Sequence, residues 1–242
     1  MSQINKGIFK IYTKTSTSFI KSEYATSERP MNRAGKPIIW KWGAERLTNE
    51  GAALELLAKF TTIPVPRVIS CGKDERGVMH LEVERKDGIT AEAAGKHCRM
   101  PSEPSHTTTG SCSECERIAS EQVNYFIEKM VMSQLQKLKA TETGLDGFVL
   151  PPPRIEQYDD RHVWEPKKAT SGQEFVFCHG DLSRSNILLD PHTLQVVWVV
   201  DWEQAGFYPA ELEHPLWRLN YTEYMNTYRD EAGIRNDIIL IT

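Results

Sequence analysis

Runs of apolar residues predict three buried strands in the second half of the chain. Residues 175–178 and 187–189 form two short apolar runs, and residues 196–200 form a third that is apolar on both faces. The segment 190–193, Asp-Pro-His-Thr, has turn composition and separates the last two runs. We therefore expect residues 187–200 to form a β-hairpin.

A helical repeat precedes these strands. Apolar residues recur at spacings of three and four between residues 113 and 139, which predicts a long amphipathic helix, and Ser113 with Glu116 has the form of a capping box at its start. We expect one stripe of this helix to lie in the core: Ala119, Val123, Ile127, Val131, Leu135 and Leu138.

The pattern in the first half of the chain is weaker. Residues 37–42 predict a strand that carries Lys41, and Thr48 can cap a helix over residues 49–59. Pro64 and Pro66 impose an extended path, and the alternation over residues 78–83 predicts another strand. Residues 1–36 are poorly patterned: residues 8–11 favour one short strand at most, and residues 16–34 have the composition of a loop.

Composition excludes several function classes. The 242 residues are 40% hydrophobic and 26% charged, as in ordinary globular proteins, and the net charge of −4 gives no reason to expect nucleic acid or an acidic membrane as a partner. No apolar run approaches the roughly 20 residues of a membrane span, and the N-terminus has no apolar signal core. Five cysteines without such a signal favour reduced thiols, so we expect a cytoplasmic protein.

Three polar side chains carry the spacing of a phosphoryl-transfer site. Asp181 follows His179-Gly180, Asn186 comes five residues later, and Asp201 ends the third apolar run. The predicted hairpin brings Asn186 close to Asp201, so two oxygen ligands can face one Mg²⁺ ion. A carboxylate such as Asp181 can orient a hydroxyl group and accept its proton.

These residues lie within a longer pattern. The sequence HGDLSRSNILLD, followed by VVDWEQAGFYPAELE, closely resembles the aminoglycoside phosphotransferase and choline kinase-like family, which has a protein-kinase-like fold. The resemblance implies an α+β bilobal protein: a small β-rich N-lobe over residues 1–84 and a larger, mainly helical C-lobe over residues 85–242. It also implies a longer helical part after Asp201 than this chain carries.

The resemblance assigns roles in the C-lobe. Asp181 would orient and deprotonate the acceptor hydroxyl, and Asn186 and Asp201 would hold Mg²⁺. His179 would brace the catalytic loop rather than act as a base.

In the N-lobe the order strand-lysine, helix-glutamate implies an ATP-binding pair. Lys41, placed by Glu50, would hold the α- and β-phosphates, with Glu55 as the alternative partner. The adenine would contact backbone groups near Glu84, where the chain crosses between the lobes. A glycine-rich loop of the protein-kinase type is absent from residues 1–36.

The predicted function is therefore ATP- and Mg²⁺-dependent transfer of the γ-phosphoryl group to a hydroxyl of a small molecule. Two rivals remain, a nucleotide-binding pseudokinase that acts as an interaction module, and a protein kinase. The HGDLSRSN loop, the DWE segment and the lack of an Ala-Pro-Glu motif argue against the protein kinase. The acceptor and the oligomeric state stay open.

Two further groups of polar residues each have two interpretations. Glu211 and Glu213 can shape the C-lobe or approach a cationic acceptor, or they can be solvated helix-face carboxylates. The insertion at residues 95–110 holds His97, Cys98 and His106, and Cys112-x-x-Cys115 follows it. These residues can bind zinc, but Cys98 sits beside His97 without a paired spacing, so we expect a mobile surface loop instead.

Overall fold

An antiparallel five-stranded sheet forms the N-terminal part of the protein. The structure is a computed structural model that describes residues 2–100, 106, 109–170 and 172–242. The strands are arranged in the order β1-β2-β3-β5-β4. Helix α1 packs across the sheet and buries Leu47, Leu54 and Leu57. The elements are β1 (Gln3–Lys6), β2 (Lys10–Lys14), β3 (Ser18–Glu23), α1 (Gly43–Phe60), β4 (Val68–Lys73) and β5 (Met79–Glu84).

Several predictions for this region are wrong. Residues 18–23 are a strand rather than loop, and residues 37–42 are irregular rather than a strand, with one isolated bridge between Met31 and Pro37. The first three strands are largely half-exposed or exposed, and most of their residues are polar. Their sequences therefore lack the alternation of apolar and polar residues that predicts a strand. Helix α1 begins six residues earlier than predicted. The Thr48 hydroxyl donates to the Ala44 carbonyl within the helix and does not cap it.

The C-terminal part combines two small sheets with α-helices, a π-helical segment and short 3-10 turns. One sheet has the order β10-β9-β6 and the other β11-β8-β7. The strands are β6 (Ile89–Thr90), β7 (Lys139–Ala140), β8 (Phe175–Cys178), β9 (Ile187–Leu189), β10 (Val196–Val199) and β11 (Gly206–Tyr208). The helices are α2 (Ser113–Phe126), a π-helical continuation (Ile127–Val131), α3 (Met132–Leu135), α4 (Pro153–Tyr158), α5 (Tyr221–Thr227) and α6 (Glu231–Ile241).

The predicted central helix is confirmed, with one break in its geometry. Its stripe is fully buried from Ala119 to Leu135, and Leu138 is partly buried. The π-helical segment adds one residue to a helical turn and so rotates the apolar stripe slightly around the helix axis. Ile127 and Val131 both remain in the core. The predicted capping box is wrong, because Cys112 occupies the N-cap position without a side-chain cap.

The predicted hairpin is also confirmed and positions the candidate site. Strands β9 and β10 pair antiparallel, with Val199 opposite Ile187. Beyond this pair the Val200 N–H donates to the Asn186 carbonyl at 2.9 Å. Asn186, directly before β9, and Asp201, two residues after β10, therefore lie at the same end of the hairpin.

Two apolar clusters hold the fold. The larger joins α1 and β5 to the α2–α3 helix and the β9–β10 hairpin, and the smaller lies between α4, β8, β11 and α6. The smaller cluster covers a buried ion pair in which Arg154 Nε lies 2.8 Å from Asp237 Oδ2. Within the described part of the chain, no helix combines the length and apolar character that a bilayer crossing requires.

Candidate active site

Strand β8 delivers a buried histidine to the start of residues 179–186, the predicted catalytic loop. His179 is fully buried, its Nε2 donates to the Val200 carbonyl at 3.1 Å, and its Nδ1 accepts from the Asp181 N–H at 3.3 Å. The ring also packs against Trp202, with 4.3 Å between centroids. Burial lowers the pKa of His179 to about 4, so the ring is neutral. These contacts fit the predicted bracing role.

Glu213 fixes the same loop from the opposite side. Its buried carboxylate accepts hydrogen bonds from the N–H groups of His179 and Gly180. Burial raises the pKa of Glu213 to about 7 although both hydrogen bonds oppose this shift. Of the two interpretations left open by the sequence, Glu213 shapes the lobe, whereas Glu211 is exposed.

Gly180 permits this loop to turn. Its φ of +83° lies in the left-handed region, and a Cβ there would lie 2.9 Å from the Gln204 carbonyl oxygen. Gly180 is therefore packed closely against Gln204. This contact keeps Asp181 next to the segment that follows β10.

Asp181 receives two hydrogen bonds on its carboxylate. Asn186 Nδ2 donates to Oδ2 at 3.2 Å and also to the Asp181 carbonyl at 2.8 Å, and the Tyr224 hydroxyl donates to Oδ1 at 3.0 Å. Burial raises the pKa of Asp181 to about 7, with the Tyr224 hydrogen bond opposing the shift and Asp201 adding to it. Sequence reasoning missed Tyr224, because helix α5 carries no motif around it.

Asp201 sits at the end of the hairpin in a left-handed backbone conformation, with φ of +67°. Its side chain is 36% exposed and in contact with Lys21 through Oδ1. Burial alone would raise the pKa of Asp201, but the charges of Lys21 and Lys10 outweigh it and hold the pKa well below its usual range. Asp201 is therefore ionised.

The lysine that pairs with Glu50 is Lys21 and not Lys41. Lys21 Nζ in β3 lies 2.8 Å and 2.7 Å from the two carboxylate oxygens of Glu50 in α1. Lys41 instead lies over the ring of Trp42, 4.4 Å from its centroid, and Glu55 is exposed. The pairing of Lys41 with Glu50 is therefore a wrong prediction, which follows from placing the strand at residues 37–42. The sequence feature that could indicate the correct lysine is Lys21 within the segment Ser-Phe-Ile-Lys-Ser-Glu, which forms β3.

The charges around Lys21 determine its ionisation. Burial alone would lower the pKa of Lys21, but the carboxylates of Asp201 and Glu50 raise it well above the ordinary value. Burial also raises the pKa of Glu50 against the opposing charge of Lys21. Lys21 is thus a buried ammonium group held between two acids.

A second ion-pair network ties the segment after Asp201 to helix α1. Lys10 contacts Glu203, Arg46 Nη1 lies 3.1 Å from Glu203 Oε1, and Arg46 also contacts Glu156. Asn49 Nδ2 donates to the Ala205 carbonyl at 2.8 Å. No motif predicts this network, which joins the N-terminal sheet and α1 to the segment after Asp201.

A cavity of about 340 Å³ lies between the sheet and the β9–β10 hairpin. Lys21, Asn186 and Asp201 line its polar end, and Phe19, Val83 and Leu188 are among its apolar walls. Glu84, Arg85, Lys86 and Gly88 also line it, and Glu84 is half-buried. The structure thus gathers on one cavity the predicted residues Glu50, Glu84, Asn186 and Asp201, with Lys21 in place of Lys41.

Asp181 faces a different opening. It lines a cavity of about 370 Å³ together with Asp201 and Glu203, and its partner Tyr224 borders a third cavity of about 450 Å³. Asp181 is thus open to a cavity that Lys21 does not line, and Asp201 lines both that cavity and the cavity of Lys21.

The donor set at the hairpin end fits Mg²⁺. Asn186 offers an amide oxygen and Asp201 an ionised carboxylate, and both line the 340 Å³ cavity. Hard divalent ions prefer such oxygen ligands. Glu50, Asp201 and Glu203 also place carboxylate oxygens within 4.8 Å of one another, which strengthens the cation preference of this region.

Comparison with protein families gives one match, to the part of the chain that carries the predicted site. Residues 118–213 match the sequence model of the phosphotransferase enzyme family, a range that includes the catalytic loop, Asp201 and Glu213. The match covers less than half of the chain, and it agrees with the resemblance of this part to the aminoglycoside phosphotransferase-like family. A comparison with curated protein sequences gave no significant match.

Solved structures show the fold. The ternary complex of APH(2'')-IIa with streptomycin and ATP superposes with a TM-score of 0.52 at 10% identity, covering 98% of this chain and 81% of that one. APH(3'')-Id from Streptomyces rimosus gives a TM-score of 0.42 at 16% identity, covering 98% and 83%. The first of these likenesses confirms the predicted α+β, protein-kinase-like fold.

Proposed function

We propose that the protein transfers the γ-phosphoryl group of ATP, with Mg²⁺, to a hydroxyl group of a small molecule. The observation that carries the proposal is the contact of one buried lysine, Lys21, with both Glu50 and Asp201 at the end of a cavity that Asn186 also lines. Positioning and electrostatic stabilisation supply most of the catalysis in phosphoryl transfer, and this cluster provides both.

Each residue of the cluster has a distinct task. Lys21, held by Glu50, supplies the positive charge for the phosphates, and Asn186 and Asp201 would hold Mg²⁺, which neutralises phosphate charge when bound. Asp181 orients the acceptor hydroxyl and accepts its proton. A pKa near 7 suits this task, because such a group is partly ionised at neutral pH and still basic enough to accept a proton.

The charge around Asp181 bears on the acceptor. In the 370 Å³ cavity, Glu203 is already paired with Lys10 and Arg46, and Arg46 also pairs with Glu156. Most of the acidic lining is thus neutralised within the protein. A strongly cationic acceptor is not demanded by this cavity, and we include neutral polyols beside amino-alcohols among the acceptors to be tested.

The test is ADP release measured against a panel of hydroxyl and amino-alcohol compounds. The proposal expects Mg²⁺-dependent turnover with at least one compound, together with a phosphomonoester product, and its loss in Asp181→Asn. A purified protein that binds Mg²⁺·ATP but phosphorylates nothing in a broad panel would contradict the enzymatic reading.

A nucleotide-binding interaction module is the second candidate, and one observation favours it. The Tyr224 hydroxyl donates to the Asp181 carboxylate, the position at which an acceptor hydroxyl would donate. ATP binding and turnover measured side by side in the native protein and in Tyr224→Phe separate the candidates. Binding without turnover in both proteins favours the module, whereas turnover in either favours the enzyme.

A further inference from the structure

Four side chains from the insertion and the start of helix α2 converge on one point. The Nδ1 atom of His106 lies 3.7 Å from Cys98 Sγ, 3.4 Å from Cys112 Sγ and 3.4 Å from Cys115 Sγ. All four ligand atoms lie within 4.8 Å of one another. The sequence analysis favours a surface loop here; residues 101–105 and 107–108 lie outside the described part of the chain, but the four convergent residues lie within it.

These distances are those of a tetrahedral zinc site. With Zn–S bonds of about 2.3 Å and Zn–N bonds of about 2.0–2.1 Å, a tetrahedron has S···N edges of about 3.5 Å and S···S edges of about 3.8 Å. The three observed S···N separations fall around the first value. Three sulfur atoms and one imidazole nitrogen form a closed ligand set that leaves no position for substrate, as in structural zinc sites.

The surroundings of the thiols fit metal-bound thiolates. Cys112 and Cys115 are buried, and the described cysteines of the cluster are not joined by a disulfide. The Arg99 N–H donates to Cys115 Sγ at 3.3 Å, an outer-shell hydrogen bond of the kind that orients metal ligands. Cys115 lies in the first turn of α2, whose N-terminal end favours a negatively charged sulfur.

The backbone holds the two halves of the cluster in register. The Cys98 N–H donates to the Gly110 carbonyl at 3.0 Å, and the Cys112 N–H donates to the Gly95 carbonyl at 2.9 Å. These bonds close the insertion into a loop whose ends carry the thiols. His97, the neighbour of Cys98, is exposed and takes no part in the cluster.

We propose that Cys98, His106, Cys112 and Cys115 bind one structural Zn²⁺ ion. The site fastens the short helical segment Ala91–Lys96 to the start of α2. This segment touches the catalytic loop, because Arg184 Nη2 donates to the Ala91 carbonyl at 3.0 Å. Arg184 Nη1 also donates to Ser120 of α2 at 2.9 Å, so the zinc-fastened pair of elements supports the loop between Asp181 and Asn186.

The first experiment measures metal in the full-length protein, purified without a metal-affinity tag. We expect about one zinc per chain by elemental analysis, and release of that zinc when the thiols are modified. Replacement by Co²⁺ should give the intense visible absorption of a tetrahedral thiolate site. A preparation that contains no zinc and does not bind added Zn²⁺ or Co²⁺ overturns the proposal, as does stoichiometric binding of iron in place of zinc.

Matched variants locate the site. His106→Ala should lower the zinc affinity by more than the 10–100-fold that loss of an outer-shell partner typically costs, whereas His97→Ala should leave it unchanged. Cys115→Ser should behave like His106→Ala, and Cys71→Ser, outside the cluster, like His97→Ala. If a ligand variant fails to fold, His106→Cys keeps a four-ligand set and should retain one zinc. Equal zinc content in His106→Ala and His97→Ala overturns the assignment.

Discussion

Lys21 Nζ in β3 lies 2.7 Å from Glu50 Oε2 in α1 and also contacts Asp201 beyond the β9–β10 hairpin. One ammonium group thereby joins the sheet, the helix that packs on it and the catalytic segment of the C-terminal part. Because all three groups are at least partly buried, the position of the lysine is fixed before any nucleotide binds. The proposed function depends on this lysine more than on any other residue of the N-terminal part.

Replacing each of the two lysines tests this assignment. Lys21→Met should lower ATP turnover by about 10²-fold or more, since a preorganised charge on the phosphates is lost. Lys41→Met should stay within about twofold of the native rate, because Lys41 packs on Trp42 and not on Glu50. Steady-state ADP release at saturating ATP measures both.

The lysine variant needs a control for folding. Removing Lys21 leaves Glu50 buried without its partner, which typically costs 3–5 kcal/mol. The double variant Lys21→Met/Glu50→Gln removes both charges and should recover much of the lost stability in a denaturant titration, but none of the turnover. Recovery of turnover together with stability would show that Lys21 has only a structural role.

Tyr224→Phe tests the hydrogen bond on the Asp181 carboxylate. The Tyr224 hydroxyl stabilises the ionised form of Asp181 and so lowers its pKa. Its removal raises that pKa, so the rising limb of kcat/KM against pH should move to higher pH, by about one unit or less. Tyr221→Phe, an exposed residue of the same helix, should leave the profile in place. A shift to lower pH would contradict the assigned hydrogen bond.

Glu213→Gln tests the buried carboxylate under the catalytic loop. The pKa of Glu213 is raised in the folded protein, from 4.5 to about 7. The stability that this group contributes is therefore fully present below about pH 4.5 and is lost as the pH rises through about 7. The variant lacks this loss, so its unfolding free energy relative to the native protein should improve by on the order of 1–3 kcal/mol between pH 5 and pH 8.

Urea titrations without nucleotide at several pH values measure the Glu213 effect. The matched control is Glu211→Gln, because Glu211 is exposed two residues away. Its unfolding free energy should run parallel to that of the native protein across this pH range. Parallel curves for Glu213→Gln as well would show that the carboxylate ionises as freely in the folded protein as in the unfolded chain.

The predicted catalytic loop and the hairpin could be recognised in the sequence because several independent patterns coincide there. Strand β8 has the predicted bounds, and β9 and β10 agree to within one residue. Each is a short apolar run next to polar residues at fixed spacing. Asn186 and Asp201 come close because the short connection between the two strands sets the pairing of Val199 with Ile187. Local pattern and tertiary arrangement agree here.

Lys21 escaped prediction for a physical reason. The first three strands form one side of a sheet that is partly open to solvent, so Ser, Thr and Lys alternate with few large apolar residues. Propensity then favours a loop, and only pairing with β5 shows the strand. Lys41, beside two tryptophans and ahead of the helix, had the stronger local pattern but the wrong position.

The cysteine cluster and Tyr224 illustrate a second limit. Cys98 and His106 come close to Cys112 and Cys115 because backbone hydrogen bonds at Gly95 and Gly110 hold the two ends of the insertion together. No regular spacing of residues in the sequence predicts these hydrogen bonds. Tyr224 reaches Asp181 across 43 positions of sequence. Contacts of this kind depend on how separate elements pack, which periodicity does not encode.

The most direct test of the central claim compares Asp181→Asn with Asp201→Asn in the titration of a non-hydrolysable ATP analogue, with and without Mg²⁺. Asp181 is assigned to the acceptor and Asp201 to the metal. Asp181→Asn should therefore keep the Mg²⁺-dependent affinity and lose about 10²–10⁴-fold in turnover, whereas Asp201→Asn should lose the Mg²⁺ dependence of binding itself. The account is contradicted if Asp181→Asn loses nucleotide affinity while Asp201→Asn retains its Mg²⁺-dependent binding.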